Sequence, residues 1–160
     1  MGGKNRMENI SISSITSVSD NLFKLLLDAD PSKNIVQSYL KRAYKFIAIF
    51  KGAPVGIVLL IDTRPETIEI INIAVSKDYR NQGIGGKLLE YSIKWAKSKK
   101  YRVIEIGTGS TSFGQLYLYQ KYGFRPVSID RDFFVTHYPH RIIENKLVLK
   151  DMVRLQQYLF

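Results

Sequence analysis

The chain lacks cysteine altogether. This excludes disulfide bonds, thiolate metal sites and a cysteine nucleophile, and it fits a reducing compartment such as the cytoplasm. Long apolar runs are absent too. The longest, residues 55–61, is far shorter than the roughly 20 residues that a membrane-spanning helix needs. The opening residues, MGGKNRMEN, hold no apolar stretch of the kind that a secretory signal requires. The sequence therefore predicts a cytoplasmic protein with no membrane partner.

Length and charge set further limits. At 160 residues the chain is long enough for a proper core, and we expect residues 1–160 to form one domain. The second methionine, Met7, indicates that residues 1–6 are disordered or were added by cloning. The formal charge of +10 should attract anionic partners. Because the basic residues are scattered, with one cluster at 97–102, charge alone does not choose between nucleic acid, a phosphorylated cofactor and a solvated surface.

Hydrophobic periodicity places the secondary structure. The predicted strands are residues 9–15, 44–50, 55–62, 67–75, 102–107 and 124–135. The predicted helices are residues 21–29 after a Ser19 or Asp20 cap, 33–42 after Ser32, a helix that opens at the glycines of 83–86, and 113–122 with Gly123 at its end. The tail, residues 147–159, fits a strand or a helix. This order predicts a mixed α/β fold with a largely antiparallel front half and a βαβ crossover behind it.

Three glycines, Gly83, Gly85 and Gly86, stand where the strand at 67–75 gives way to a helix. Asn81 and Leu88 break the spacing of a P-loop, and Leu88 also breaks that of a dinucleotide-binding motif. The free N–H groups of a first helical turn bind anions, and missing Cβ atoms let a pyrophosphate approach them closely. The alternative is a tight turn at positive φ, or close packing of the helix on the sheet.

Two motifs resemble those of the GNAT superfamily of N-acetyltransferases. INIAVSKDYRNQGIGGKLL, residues 71–89, resembles its acyl-CoA-binding motif, Arg/Gln-x-x-Gly-x-Gly/Ala. LYLYQKYGFRPV, residues 116–127, resembles its second motif, a helix with a tyrosine four residues before Gly-Phe. The resemblance covers residues 44–135 by motif and the rest by element order. It implies a six- to seven-stranded, mixed, mostly antiparallel sheet with splayed central strands and about four flanking helices, and it makes the tail the seventh strand.

The same resemblance implies acetyl-CoA as co-substrate. The pantetheine arm would pair with the fourth strand, the pyrophosphate would meet the backbone at the glycines, and an N–H near Ile73 would polarise the thioester carbonyl. Ser112 stands where many relatives have asparagine. The residues implied to contact acetyl-CoA are Ile73, Ala74, Val75, Arg80, Asn81, Gln82, Gly83, Ile84, Gly85, Gly86, Lys87, Ser112 and Tyr119.

Catalysis needs a base and an acid. An amine of the lysine type has a pKa of about 10.4, so a base must collect its proton directly or through water. Glu69 matches the position where the family often has a catalytic glutamate, and Glu105 is the second candidate. Tyr119 matches the tyrosine that protonates the departing thiolate. The alternatives are an exposed strand residue for Glu69 and a packed aromatic for Tyr119.

The resemblance therefore implies an acetyl-CoA-dependent N-acetyltransferase that modifies a primary amine of a small molecule. We expect the two N-terminal helices and the loop at 133–141 to bind the acceptor. A non-catalytic acyl-CoA sensor is one alternative. A basic nucleic-acid-binding protein is a weaker one, since the cluster at 97–102 lacks interleaved exposed aromatics. His137 and His140 are too close together for the usual zinc pair, so no metal is expected. A homodimer is left open.

Overall fold

The computed structural model describes residues 9–160, so the expectation for residues 1–6 lies outside the described part of the chain. The strands are β1 (Ile10–Ile15), β2 (Tyr44–Phe50), β3 (Ala53–Arg64), β4 (Thr67–Val75), β5 (Val103–Gly109), β6 (Arg125–Asp130), β7 (Ile143–Glu144), β8 (Leu147–Val148) and β9 (Met152–Tyr158). The helices are α1 (Asp20–Ala29), α2 (Lys33–Leu40), α3 (Ile84–Ser98), α4 (Phe113–Lys121) and α5 (Phe133–His137). None of the helices in this part of the chain is long and apolar enough to cross a membrane.

Seven strands form one sheet in the order β1-β2-β3-β4-β5-β9-β6. Neighbouring strands are antiparallel except β4 and β5, which are parallel and are connected by α3. A parallel pair needs such a crossover because its second strand must start at the same end as the first. The predicted mixed, mostly antiparallel sheet with a βαβ unit is confirmed.

Apolar side chains of the central strands pack into two cores, one on each face of the sheet. In β3, Val58 and Leu60 pack into the core that contains residues of α3, whereas Ile57, Leu59 and Ile61 pack into the core that contains residues of α1 and α2. Side chains alternate between the faces of a strand, so a strand covered on both faces is apolar throughout. This explains the short apolar run at residues 55–61.

β4 and β5 separate halfway along their length. Their pairing joins residues 67–70 to residues 103–106 and then stops, although β4 continues to Val75. A register shift opposite Leu59 and Leu60 of β3 gives β4 an extra residue, a β-bulge, where the separation begins. The splayed central strands implied by the family resemblance are therefore present.

The predicted strand at 124–135 is wrong in its second half. β6 ends at Asp130, and Asp132 adopts a left-handed conformation with φ of 59° before the chain enters α5. The backbone N–H of Asp132 donates a hydrogen bond to Oδ1 of Asp151 at 2.8 Å. This turn makes α5 a fifth helix, where the family resemblance implied about four.

The C-terminal tail holds two kinds of strand. Asn145 and Lys146, both at positive φ, form the turn of a small hairpin between β7 and β8. After this hairpin, β9 enters the main sheet between β5 and β6. The tail is thus the seventh strand of the sheet, as the family resemblance implied.

Candidate active site

The start of α3 is built differently from the starts of α1 and α2. Ser19 and Ser32 cap those two helices by accepting hydrogen bonds from backbone N–H groups, each at 3.3 Å. Gly83 stands at the same position of α3 and supplies no side-chain cap. The N–H groups of a first helical turn have no partner within the helix. The start of α3 therefore offers donors and a positive dipole end to an anion.

The three glycines at this helix start have different reasons to be there. Gly83 has φ of 86°, which only glycine adopts easily. A Cβ on Gly86 would lie 2.7 Å from Cζ of the Tyr122 ring, so Gly86 permits close packing. A Cβ on Gly85 would meet only Leu118 at 3.5 Å and Val75 at 4.0 Å, which are ordinary contacts. Turn geometry and packing explain Gly83 and Gly86, but neither explains Gly85.

A cavity of about 470 Å³, which we call the α3 cavity, lies beside this helix start. Its lining residues are Ile73, Val75, Tyr79, Arg80, Asn81, Gly83, Ile84, Gly85, Gly86, Gly114, Gln115, Tyr117, Leu118 and Tyr119. Nε of Arg80 donates to the carbonyl oxygen of Val75 at 3.0 Å, which holds the guanidinium at the end of β4. The cavity thus combines a cation, a capless helix start and the free edge of β4.

Most of the residues that the family resemblance assigned to acetyl-CoA line the α3 cavity, but four do not. Ala74 packs into the core on the α1 and α2 side. Gln82 and Lys87 are half-buried and lie outside the cavity lining. Ser112 is buried, and its hydroxyl donates to Oε2 of Glu144 at 2.8 Å instead of capping α4.

A second cavity of about 380 Å³, which we call the gap cavity, occupies the opening between β4 and β5. Its lining comes from residues 28–31, 70–73 and 106–109, from Ser112, Gln115 and Tyr119, and from parts of the segment 134–152. The end of α1 and the segment after β6 are the regions where the sequence places the acceptor. Ile73, Gln115 and Tyr119 line both cavities, so the two meet beside these side chains.

Tyr119 is buried at this junction, with 5% of its surface exposed. Its ring packs edge-on against Phe124, with the ring centroids 6.4 Å apart. Burial raises the pKa of the Tyr119 hydroxyl well above its usual value near 10. The phenol is therefore neutral and carries a proton across the physiological pH range.

Glu69 lies outside both of these cavities. Together with Glu105 and Arg154 it lines a third cavity of about 120 Å³, which we call the Glu69 cavity. Glu105 forms an ion pair with Arg64. Burial raises the pKa of Glu69, and the guanidinium groups of Arg154, Arg64 and Arg42 oppose that rise. The Glu69 cavity and the gap cavity share Ile106, so they are neighbours along β5.

Sequence reasoning missed several polar residues of the gap cavity. Asn72 is buried and donates to the carbonyl oxygen of Leu26 at 3.1 Å and to the Tyr39 hydroxyl at 2.9 Å. Asp30 accepts a hydrogen bond from the Tyr138 hydroxyl at 2.8 Å. Asn72 could have been noticed as the lone amide in an isoleucine-rich strand. Asp30 carries no such signal, because α1 and the segment after β6 meet only in the folded chain.

Among the described residues, no group of three or more histidine, aspartate or glutamate side chains is placed to hold a metal ion. His137 ends α5, and neither it nor His140 lines the α3 cavity or the gap cavity.

Comparisons with known proteins agree with this geometry. The family model described as "Acetyltransferase (GNAT) family" matches residues 19–124. The chain is 45% identical over 149 residues to the "Uncharacterized N-acetyltransferase YvbK" of Bacillus subtilis (strain 168), which covers 93% of this chain and 96% of that protein.

Two solved structures share both the fold and much of the sequence. A GNAT family acetyltransferase from Elizabethkingia anophelis, solved with acetyl-CoA bound, is 44% identical, with a TM-score of 0.91 and coverage of 95% of this chain and 99% of that one. A Bacillus subtilis acetyltransferase in complex with CoA is also 44% identical, with a TM-score of 0.91 and coverage of 94% and 99%. The chain therefore belongs to the GNAT acetyltransferase family and is an acetyl-CoA-dependent N-acetyltransferase.

Proposed function

We propose that this chain acetylates a primary amine of a small molecule that binds in the gap cavity. The observation that carries the proposal is that the α3 cavity and the gap cavity share Ile73, Gln115 and Tyr119. Two ligands, one in each cavity, would meet beside these side chains. The gap cavity, at about 380 Å³, has the size of a small-molecule site. The proposed setting is the cytoplasm, which a cysteine-free chain fits.

The α3 cavity fits the diphosphate and pantetheine parts of acetyl-CoA. Gly85 leaves open surface at the helix start, and Arg80 brings a positive charge to the same cavity. We assign residues 80–87 to the diphosphate and residues 73–75, on the free edge of β4, to the pantetheine arm. When bound, acetyl-CoA supplies an acetyl group activated as a thioester.

Tyr119 is the proposed acid. It lines both cavities, and the raised pKa of its hydroxyl keeps a proton on Oη at neutral pH. A buried phenol donates a hydrogen bond more readily than it ionises, since burial disfavours the phenolate. The Tyr119 hydroxyl can therefore donate a hydrogen bond to the sulfur atom as the thiol product forms.

Glu69 is the proposed base, and it acts through water. Its carboxyl group lies in the neighbouring Glu69 cavity, so direct contact with an amine in the gap cavity is not part of the proposal. Ile106 lines both cavities, so the proposed water path would run past this side chain. Glu105 remains the second candidate, although its carboxylate is held in an ion pair with Arg64.

We also propose that two copies of the chain associate through β6. This strand lies at the edge of the sheet and is exposed along its whole length. Val127 and Ile129 are 53% and 62% exposed on it. An edge strand with unpaired backbone groups and exposed apolar side chains favours pairing with another strand.

The experiment that tests the proposed function has two stages. Acetyl-CoA should raise the unfolding temperature of the protein, because a ligand that binds the folded state stabilises it. A panel of small amines is then screened with acetyl-CoA by measuring release of the free thiol. Stabilisation followed by amine-dependent thiol release supports the proposal, and stabilisation without release for any amine contradicts the small-molecule acceptor.

A further inference from the structure

The gap cavity has the opposite charge to the protein as a whole. The chain carries a formal charge of +10. The described residues that line the gap cavity nevertheless include three carboxylates, Asp28, Asp30 and Glu144, and no lysine, arginine or histidine. Asp28 is paired with Arg80 at 3.9 Å, so Asp30 and Glu144 are the carboxylates on which the argument depends. The α3 cavity, by contrast, is lined by Arg80 and by no carboxylate within the described chain. A cation is therefore favoured in the gap cavity, even though the surrounding surface repels it.

A buried amide oxygen in the same cavity gives independent evidence for a ligand that donates hydrogen bonds. Asn72 is 5% exposed, and its Nδ2 uses both hydrogens on Leu26 and Tyr39. Within residues 9–160 its Oδ1 has no hydrogen-bond partner. Leaving a buried acceptor unpaired destabilises the protein, so a donor from a bound molecule would recover that loss.

Asp30 is held in place by donors from three segments. The hydroxyl groups of Tyr138 and Tyr39 donate to it at 2.8 Å and 3.4 Å, and the backbone N–H of Ser32 donates at 3.2 Å. These hydrogen bonds fix the position of the Asp30 carboxylate in the wall of the cavity.

Glu144 is held at the start of α4. Its Oε2 accepts a hydrogen bond from the Ser112 hydroxyl at 2.8 Å. Ser112, which precedes α4, lines the gap cavity together with Gln115 and Tyr119 of that helix. The backbone rises by about 10 Å over the seven residues from Ser112 to Tyr119. The gap cavity therefore reaches from the Ser112–Glu144 hydrogen bond to the junction at Tyr119.

We propose that the acceptor is a small molecule with two amino groups. One amine lies beside Tyr119 and is acetylated, while the other stays an ammonium group held by Glu144, with Asp30 and Asn72 as further acceptors. An extended chain of about six carbon atoms is on the scale of the backbone rise from Ser112 to Tyr119, so it is a suitable length for the test. This inference rests on the proposed function and adds the charge of the acceptor to it.

The test compares three amines of matched length at saturating acetyl-CoA, with thiol release as the readout. Hexamethylenediamine has a second ammonium group, hexylamine has a methyl group there, and aminocaproate has a carboxylate. We expect kcat/KM to fall in that order, with the diamine ahead of hexylamine by at least about tenfold, because a charge-assisted hydrogen bond is lost. High salt should narrow the difference.

Two variants locate the preference. Glu144→Gln should bring the diamine/hexylamine ratio of kcat/KM towards one, and Asp30→Asn should lower the ratio less. Glu66→Gln removes an exposed carboxylate outside the gap cavity and should leave the ratio unchanged. A loss of folding would reduce turnover of all three amines together, so the ratio separates a specificity role from a structural one.

The inference and the proposed function fail in different ways. If hexylamine is acetylated as well as the diamine, or if Glu144→Gln leaves the ratio unchanged, the inference is overturned and the proposed function stands. If acetyl-CoA stabilises the protein but no small amine is acetylated, both are overturned. Preference for a lysine-containing peptide over the diamine would also overturn the inference, since it requires a macromolecular acceptor.

Discussion

Tyr119 joins the two cavities and is the residue on which the proposed chemistry depends most directly. Its burial at the end of the β4–β5 gap both positions the hydroxyl and raises its pKa. Such an environment keeps the hydroxyl protonated as a hydrogen-bond donor and disfavours a phenolate. The same surroundings would suit a purely structural aromatic, so activity measurements must separate the two roles.

Replacing Tyr119 with phenylalanine should lower kcat by about 100-fold, the lower end of what general acid catalysis contributes. The dissociation constant for acetyl-CoA should stay nearly unchanged, because the ring remains. In the wild type, the raised pKa of Tyr119 means that its ionisation causes no fall in rate below about pH 10. Steady-state kinetics across pH and calorimetry test these points.

Tyr91→Phe is the matched control for that variant. Tyr91 lies on α3, and its ring packs near Phe46 at a centroid distance of 5.0 Å, away from the cavities. Its loss of a hydroxyl should leave kcat unchanged. Equal kcat values for Tyr119→Phe and the wild type would remove Tyr119 as the acid.

Glu69→Gln should change both activity and the pH dependence of stability. Burial raises the pKa of Glu69 in the folded protein above its unfolded value of about 4.3. The folded state therefore favours the protonated carboxyl, and wild-type stability falls as pH rises through the folded pKa. The glutamine variant lacks this fall. The difference in the free energy of unfolding between the variant and the wild type should therefore shift in favour of the variant as pH increases.

Kinetics of the same variant test the proposed base. The wild-type rate should rise as pH passes the pKa of Glu69, and this rise should be missing in Glu69→Gln. Glu90→Gln, at an exposed i,i+4 pair with Lys94, is the control and should behave as the wild type. A Glu69→Gln variant with a normal pH profile would show that water or another group takes the proton.

At the scale of elements, the start of α3, the free edge of β4 and α4 together form the α3 cavity. α3 begins without a side-chain cap, whereas α1 and α2 begin with serine caps. β4 keeps an unpaired edge beyond residue 70, because its parallel partner diverges there. A helix start and a free strand edge are the two kinds of backbone surface that hold a diphosphate and an amide-containing arm.

Gly85→Ala tests this arrangement without disturbing the fold. The added methyl group has room beside Leu118 and Val75, and alanine favours the helix over glycine by up to about 1 kcal/mol. The unfolding temperature of the free protein should stay the same or rise. The dissociation constant for acetyl-CoA should increase by about tenfold or more, because the methyl group occupies the surface proposed for the diphosphate.

Gly86→Ala is the contrasting variant. Its methyl group would collide with the Tyr122 ring, so the unfolding temperature of the free protein should fall. Thermal unfolding and calorimetric titration of both variants separate packing from binding. Unchanged acetyl-CoA affinity in Gly85→Ala would contradict the proposed diphosphate site.

Periodicity predicted most elements of the fold, and its errors have local causes. The strand Tyr44–Phe50 and the strand Thr67–Val75 were predicted with the bounds that the structure has, because each is a continuous apolar or alternating run. The segment after Asp130 was mispredicted because Asp132 turns the chain at positive φ. The backbone N–H of Asp132 donates to Asp151, which lies 19 positions further along the chain. A short window of sequence does not reveal such a contact.

The candidate site likewise contains some residues that local sequence patterns predict and others that they do not. Glycines, Arg80 and Tyr119 are recognisable because a local pattern places them on a strand-to-helix turn and on a helix. Glu144 and Asp30 enter the gap cavity through a short hairpin and through the end of α1. Their contribution depends on how distant segments pack, so neither motif nor periodicity predicts it.

At the scale of the whole molecule, β6 leaves one edge of the sheet exposed. If two copies pair there as proposed, the wild type should sediment as a dimer. Ile129→Lys should sediment as a monomer with an unchanged unfolding midpoint at low concentration, since Ile129 is exposed in the single chain. A monomeric wild type, or a dimer that survives the substitution, would contradict pairing through β6.

The charges of the molecule are also arranged on this scale. A chain with a net charge of +10 has a cationic α3 cavity and a carboxylate-lined gap cavity that meet at Tyr119. This arrangement favours an anionic co-substrate in the α3 cavity and a cationic acceptor in the gap cavity. The reacting groups would come together only where the two cavities join.

A crystal structure of the acetyl-CoA complex tests the central claim most directly. The account predicts diphosphate oxygens within hydrogen-bond distance of the backbone N–H groups at the start of α3, and an acetyl group beside Ile73 and Tyr119. A diphosphate bound elsewhere, or an acetyl group that does not reach the junction of the two cavities, would contradict it.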